Sequence, residues 1–238
     1  MDKQKYKVIY RIKYGSHSYG TNTEDSDIDI REIYMPTLDE FVSMKELPTI
    51  NVQNNETDLV AYDIRKFFSL AIRSNPSVLE WLYAPKECIL HIDRMVGSSL
   101  IRNRDIFLSK EIYYRFQGYA ISEWRKVIGD HPEVGAKRKE QIAKYGYNLK
   151  SAMNGIRLMQ QAQELLTKKK LTLPRPNSQL LLDIKCGRLT YEDVDKLYHQ
   201  EMINLEKAFK VSKLPEKADR ERADRFLIDL VKAFSSWS

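Results

Sequence analysis

Apolar and polar residues alternate with a period of two over Lys7-Val-Ile-Tyr-Arg-Ile-Lys-Tyr14. The stretch is rich in β-branched and aromatic residues, and it predicts a first β-strand. The same period returns from Ile28 to Met35, closed by Pro36, and from Thr57 to Tyr62, which predicts two more strands. From Asp63 the period lengthens. Ile64, Phe67, Phe68 and Ala71 recur on one helical face behind Asp63, a residue type that caps helix N-termini. Asn75-Pro76 ends that helix and opens another that runs to Tyr83, with proline early in the first turn, where no N–H is needed. Up to about residue 100, strand and helix are mixed.

Helical periodicity takes over after that point. Ile106 to Ile128 is one long apolar-periodic segment with Ser109 as an internal cap, followed by a loop from Gly129 to Gly135. The basic run Lys137-Arg138-Lys139 opens the next helix. Leu149, Ala152, Met153, Ile156, Met159 and Leu166 carry the apolar stripe from Glu140 to Thr167. Leu173-Pro-Arg-Pro-Asn177 is a linker, Thr190-Tyr-Glu-Asp is a capping-box start, and a last helix runs from Asp219 to about Phe234. The expected class is α+β: a strand-and-helix domain over residues 1–104, then an all-α C-terminal domain over 105–238.

Composition narrows the setting. In 238 residues no apolar run approaches the ~20 that a membrane span needs, so no membrane partner is expected. The start of the chain has no apolar stretch of secretory length, and a cytoplasmic protein is expected. Cys88 and Cys186 lie far apart with no His or Cys at metal-ligand spacing; free thiols are expected, with neither zinc nor a disulfide framework. Charge is unevenly spread. Residues 1–100 carry 12 Lys and Arg against 15 Asp and Glu, whereas the remaining 138 carry 27 against 18. An acidic first part and a basic second part suit a metal site working on a polyanion; a Lys-rich solvated surface has the same composition.

The chemistry concentrates in one stretch, Gly15-Ser-His-Ser-Tyr-Gly-Thr-Asn-Thr-Glu-Asp-Ser-Asp-Ile-Asp-Ile30. Asp27 and Asp29 are two apart on a strand, so they share a face at roughly 7 Å along the chain. Carboxylates in that arrangement can hold two hard divalent cations that clamp the oxygens of an in-line displacement. The Gly15-Ser16 turn can bring bare backbone N–H groups against an anion, since glycine has no Cβ to block the approach. Ser16 adds a hydroxyl, and His17 and Ser18 add candidate phosphate contacts at the start of a short helix, with a surface imidazole the other reading of His17. A third carboxylate is expected from Asp58, on a strand that could lie beside Asp29. Asp63 is its competitor, and its place before a helix also fits a cap. Arg31, two beyond Asp29, either meets phosphate or neutralises the acids. In the helical half Lys150, Asn154 and Arg157 stand at i, i+4 and i+7, a spacing that can present two cations to a triphosphate or form a solvated face. Tyr145 and Tyr147 have the chemistry to stack a base and also the spacing of core or rim packing.

The Gly-Ser and Asp-x-Asp stretch resembles the signature of the DNA-polymerase-β-like nucleotidyltransferase superfamily. Four further segments, DLVAYDIRKFFSLAIRSNPSVLEWLY, FLSKEIYYRFQGYA, YGYNLKSAMNGIRLMQQAQELL and LLLDIKCGRLTYEDV, look like its branch of bacterial and phage nucleotidyltransferases associated with RNA ligases and RNA repair. The resemblance implies a small mixed β-sheet core flanked by helices, with Asp27, Asp29 and Asp58 as catalytic residues binding two Mg²⁺ or Mn²⁺ ions. It implies an NTP as substrate, bound by Gly15, Ser16, His17, Ser18, Arg31, Lys150, Asn154 and Arg157, and a helical domain that closes over it. Asn75-Pro76 and Glu80 match the branch's Asn-Pro-x-x-x-Glu segment. Glu32, Asn148 and Ser151 depart from its usual Gly, Asp and His, and Glu32 is expected to add negative charge near the metals. The function so implied is transfer of a nucleoside monophosphate to a hydroxyl, with a tRNA or other RNA 3′ end the favoured acceptor. A protein or small-molecule hydroxyl is the alternative, and a non-catalytic nucleotide- or RNA-binding module the third reading.

Overall fold

A computed structural model describes residues 6–24, 26–44, 46–54, 57–128 and 142–235. The chain divides into two compact units, one of residues 1–107 with 218–238 and the other of residues 108–217. The first is built on a five-stranded mixed sheet. Its strands are β1 (Lys7–Tyr14), β2 (Ile28–Met35), β3 (Ile50–Gln53), β4 (Thr57–Asp63) and β5 (Ile89–Ile92), in the order β3-β4-β2-β1-β5. The alternating segments form β1 and β2 with the predicted bounds, and β4 runs one residue past Tyr62. β2 and β4 are parallel; the other pairs are antiparallel. Two parallel neighbours cannot be joined by a tight turn, and the crossover between them contains the short helix α2 (Leu38–Val42) and β3.

Helices complete this unit. α1 (Ser16–Tyr19) follows β1 directly, α3 (Ile64–Ala71) follows β4, and α4 (Pro76–Leu79) runs into a 3₁₀ turn at Glu80–Tyr83. Asp63 caps α3 by accepting the Lys66 N–H, and Asn75 caps α4 by accepting that of Val78. Ile64, Phe67, Phe68 and Ala71 are buried, as their spacing predicts. α5 (Val96–Arg102) packs so closely on β1 that a Cβ on Gly97 would lie 2.3 Å from the Ile9 carbonyl oxygen. Because that obstacle is backbone, Gly97→Ala is expected to destabilise the protein by about 1–3 kcal/mol, read as a lower urea midpoint at unchanged slope.

In the second unit α6 (Glu111–Trp124), α7 (Leu149–Lys168), α8 (Ser178–Lys185) and α9 (Tyr191–Val211) pack around Phe116, Tyr147, Ile156, Leu165 and Leu205. The long segment expected from Ile106 is a 3₁₀ turn to Phe107 and becomes α-helix only at Glu111, whose N–H donates to Ser109 Oγ; Ser109 therefore opens the α-helix and does not sit inside it. The expected loop at 129–135 and the basic run at 137–139 lie outside the described residues. The helix expected from Glu140 to Thr167 is interrupted: Gly146 takes φ +80°, and Asn148 caps α7 by accepting the Ser151 N–H. An Asn caps as well as an Asp, so the departure at that position keeps its structural role. Thr190 caps α9, as expected.

The last helix, α10 (Arg220–Ser235), groups with the first unit, so the second unit does not run unbroken from 105 to 238. Ala223, Leu230 and Val231 are buried, and the Phe226 ring lies 5.9 Å from that of Phe68. No described helix is long and apolar enough to cross a membrane.

Candidate active site

Strand register assembles the acidic site. β1 pairs with β2 so that Tyr14 faces Asp29, and β2 pairs with β4 so that Asp29 faces Asp58. Alternation then puts Tyr14, Asp29, Arg31 and Asp58 on one face of the sheet. Both carboxylates are partly exposed, at 31% and 40% for Asp29 and Asp58, while the Arg31 side chain is 14% exposed between them. Arg31 Nη2 lies 3.3 Å from Asp29 Oδ1 and 3.1 Å from Asp58 Oδ2. Its Nη1 donates to the carbonyls of Ile30 and Asp58 at 2.8 and 2.9 Å. The guanidinium also lies over the Tyr14 ring, 5.2 Å from its centre, within cation–π range. In this structure Arg31 is ion-paired to both acids.

Gly15 brings the turn against this pair. Its φ of +65° lies in the left-handed region that glycine adopts freely. A Cβ there would sit 2.2 Å from Asp29 Oδ2. Ser16 is half-buried at the start of α1. Ser18 and His17 are less open than expected. Ser18 is 1% exposed, and His17 Nε2 is buried without a hydrogen-bond partner. Cys88 Sγ donates to the His17 carbonyl at 3.7 Å, and burial pushes its thiol up, so it anchors α1 as a neutral donor. Cys88 and Cys186 are both free.

Asp27 is exposed just before β2. Asp63 is an odd number of residues from Asp58 and therefore faces the other side of β4; it is buried at the start of α3 with its Oδ1 3.8 Å from Arg65 Nε. Asp58, not Asp63, is beside Asp29. Glu32 also faces away from the acidic pair and is buried against Arg11 Nε, so its charge is spent on the opposite face and not near the candidate metal ligands.

Among the described residues no three His, Cys, Asp or Glu side chains converge to hold a metal ion. The donor set still suits a hard divalent cation: two carboxylates face each other beside a glycine at which a Cβ would collide with Asp29 Oδ2. Asp29 and Asp58 are the residues that would hold such an ion; Asp27 lies two residues before Asp29, just outside β2.

Lys150, Asn154 and Arg157 stand on α7 in the second unit, but they do not share one open face. Lys150 is exposed and Asn154 half-buried, whereas Arg157 is 6% exposed, with Nη1 donating to Gln161 Oε1 at 2.8 Å. Tyr147 is a core residue whose hydroxyl donates to the Leu189 carbonyl, and Tyr145 packs against Gly187. Beyond its Asn-Pro-x-x-x-Glu segment, no spacing or motif singles out Glu80. It is 1% exposed, and its Oε2 accepts the Tyr14 and Tyr19 hydroxyls from both sides of the Gly15-Ser16 turn.

Residues 1–229 match the RNA repair pathway DNA polymerase beta family. The chain belongs to that family. Among relatives of this RNA repair family member, the uncharacterized 38.9 kDa protein of the nrdC-mobD intergenic region of Enterobacteria phage T4 is 31% identical over 96 residues. That alignment covers 37% of this chain and 29% of the phage protein. The uncharacterized protein YcgL of Bacillus subtilis (strain 168) is 32% identical over 78 residues, or 32% of this chain and 30% of that protein. The chain thus spans about 30% of the length of these curated relatives. A nucleotidyltransferase-like protein from Exiguobacterium sibiricum 255-15, known as a crystal structure, aligns over 87% of this chain and 70% of its own at 13% identity and a TM-score of 0.30. Membership in the family rests on the sequence match and not on that likeness.

Proposed function

We propose that the protein is a metal-dependent nucleotidyltransferase that moves a nucleoside monophosphate from an NTP to the hydroxyl of an RNA 3′ end. The observation that carries this reading is the register that sets Asp29 opposite Asp58 beside the Gly15 turn, in a chain of an RNA repair family. In the reaction the acceptor oxygen bonds to the α-phosphorus, the bond to the bridging oxygen breaks, and pyrophosphate leaves while the hydroxyl proton is released. Asp29 and Asp58 would hold a Mg²⁺ or Mn²⁺ ion, with Asp27 as a further carboxylate just before β2, and the ion would supply Lewis acidity to the reacting oxygens. Gly15 and Ser16 orient the distal phosphates through N–H groups and the serine hydroxyl. Arg31 balances the paired acids through its ion pairs to both. The excess of basic residues beyond residue 100 favours a polyanionic acceptor without reading its sequence.

The test is to incubate the protein with each α-labelled NTP and Mg²⁺ or Mn²⁺, with and without total tRNA. Label is expected in RNA. Label in protein or in a small product moves the acceptor elsewhere, and absence of pyrophosphate with every metal overturns the enzyme reading. Arg31 supplies a separate check. Its two ion pairs compete with any cation for Asp29 and Asp58, so Arg31→Ala is expected to tighten Mn²⁺ binding by roughly fivefold, the scale of a partly exposed pair. An electron paramagnetic resonance titration of free Mn²⁺ reads this directly; unchanged or weaker binding would separate the carboxylates from metal binding.

A further inference from the structure

We propose that Glu80 is a positioning residue for the nucleotide, holding the Gly15-Ser16 turn in place through two tyrosine hydroxyls; this rests on the reading of that turn as a phosphate cradle. Tyr14 is the last residue of β1 and Tyr19 the last of α1, so they bracket residues 15–18. Glu80 Oε2 accepts Tyr14 Oη–H at 2.7 Å and Tyr19 Oη–H at 2.5 Å. One oxygen atom thereby ties both ends of the turn to the 3₁₀ segment after α4. The two rings meet edge to face with centroids 5.8 Å apart, and Tyr14 also packs edge-on against Trp81 at 6.4 Å.

The arrangement does more than satisfy a buried carboxyl group. A tyrosine side chain has two rotatable bonds before its rigid ring, so a hydrogen bond at the tip fixes the ring and the backbone that carries it. For Tyr14 that ring is the surface on which Arg31 lies, and Arg31 in turn touches Asp29 and Asp58. For Tyr19 the fixed point is the far end of α1, whose backbone N–H returns to the Gly15 carbonyl at 3.1 Å. Between them sits a glycine at positive φ, the residue with the most backbone freedom to lose. A turn of that kind keeps one geometry only when its ends are held. Asn75 and Pro76 set the start of the element that carries Glu80, through the Asn75 cap on Val78. Glu80 touches no phosphate in this scheme; it acts through Tyr14 and Tyr19.

The experiment compares wild type with Glu80→Gln, Glu80→Ala and the double variant Tyr14→Phe with Tyr19→Phe. Three quantities are read: amide hydrogen exchange over residues 15–19, the KM for NTP against kcat and the acceptor KM, and the thermal midpoint. Loss of both hydroxyl bonds is expected to speed exchange in the turn by about tenfold and to raise the KM for NTP by a similar factor. The acceptor KM stays unchanged. Glu80→Gln keeps an oxygen that accepts both hydroxyls and is expected to recover to within about threefold of wild type on the same scale. The proposal is overturned if the double variant, folded as judged by its midpoint, shows wild-type exchange and wild-type KM. It is also overturned if exchange rises while NTP binding does not change, since the clamp is then structural alone. Wild-type protein that binds no NTP with any metal defeats the nucleotidyltransferase reading itself, and faster exchange in the double variant would then mark Glu80 as a fold-holding residue.

Discussion

Asp29→Asn is expected to lower nucleotidyl transfer by about a thousandfold while leaving the fold intact. The side chain is partly exposed at the surface of the sheet, and Asn has nearly the same shape, so packing is preserved. What is lost is the negative charge facing Asp58 and, on the proposed reading, a ligand to a Lewis acid that would supply several kcal/mol of transition-state stabilisation. At ~1.4 kcal/mol per tenfold in rate, that is on the order of three decades. Arg31 keeps its bonds to Asp58 and to two backbone carbonyls, which holds the strand pair together in the variant. Single-turnover transfer from an α-labelled NTP gives the rate, and a loss smaller than about tenfold, below the span of a single electrostatic contact at a reacting centre, would remove Asp29 from the chemistry. Asp58→Asn should match it. Asp63→Asn should not, because Asn can still cap α3; that contrast distinguishes the two candidate third carboxylates by activity as well as by place.

Much of this geometry could be read from periodicity, and the rest could not for physical reasons. β1 and β2 each span eight residues of alternation and end at Gly15 and Pro36, strong stops that leave little freedom in the bounds. The same alternation assigns Glu32 to the face opposite Asp29, so its separation from the acidic pair was readable from one strand alone. β3 and β5 have four residues each, too few for a period to stand out. The pairing of Asp58 with Asp29 needed only that the two strands be neighbours, but parallel neighbours in exact register are a tertiary outcome. Contacts across 61 and 66 residues tie Glu80 to Tyr19 and Tyr14, and no local pattern encodes them. Arg157 shows the opposite failure. Its spacing from Lys150 describes a helix surface, yet burial depends on which helices pack against α7, and that is not written in the spacing.

Gly15→Ala is the second large effect, and it separates catalysis from stability. The positive φ, with ψ at −136°, costs an L-residue about 1–3 kcal/mol, a moderate loss that chemical denaturation can measure. The collision is more damaging to function. The new methyl would lie 2.2 Å from Asp29 Oδ2, well inside contact distance, and the atom it meets is the tip of a side chain and not backbone. The least costly relief is for the carboxylate to rotate away. Rotation takes Asp29 off its position opposite Asp58 and away from Arg31, while the sheet beneath keeps its register. A displacement of about 1 Å at a reacting centre can lower a rate by roughly a hundredfold, so transfer should fall by about that factor in a protein that is still folded under assay conditions. Ser16→Ala has neither the positive φ nor the collision, and it should lose one hydroxyl contact and roughly tenfold in activity at most. Equal losses in the two variants would mean that the turn matters only as a binding surface. A far larger loss for Gly15→Ala, at a modest cost in stability, is the signature of a turn whose closeness to Asp29 sets where that carboxylate points.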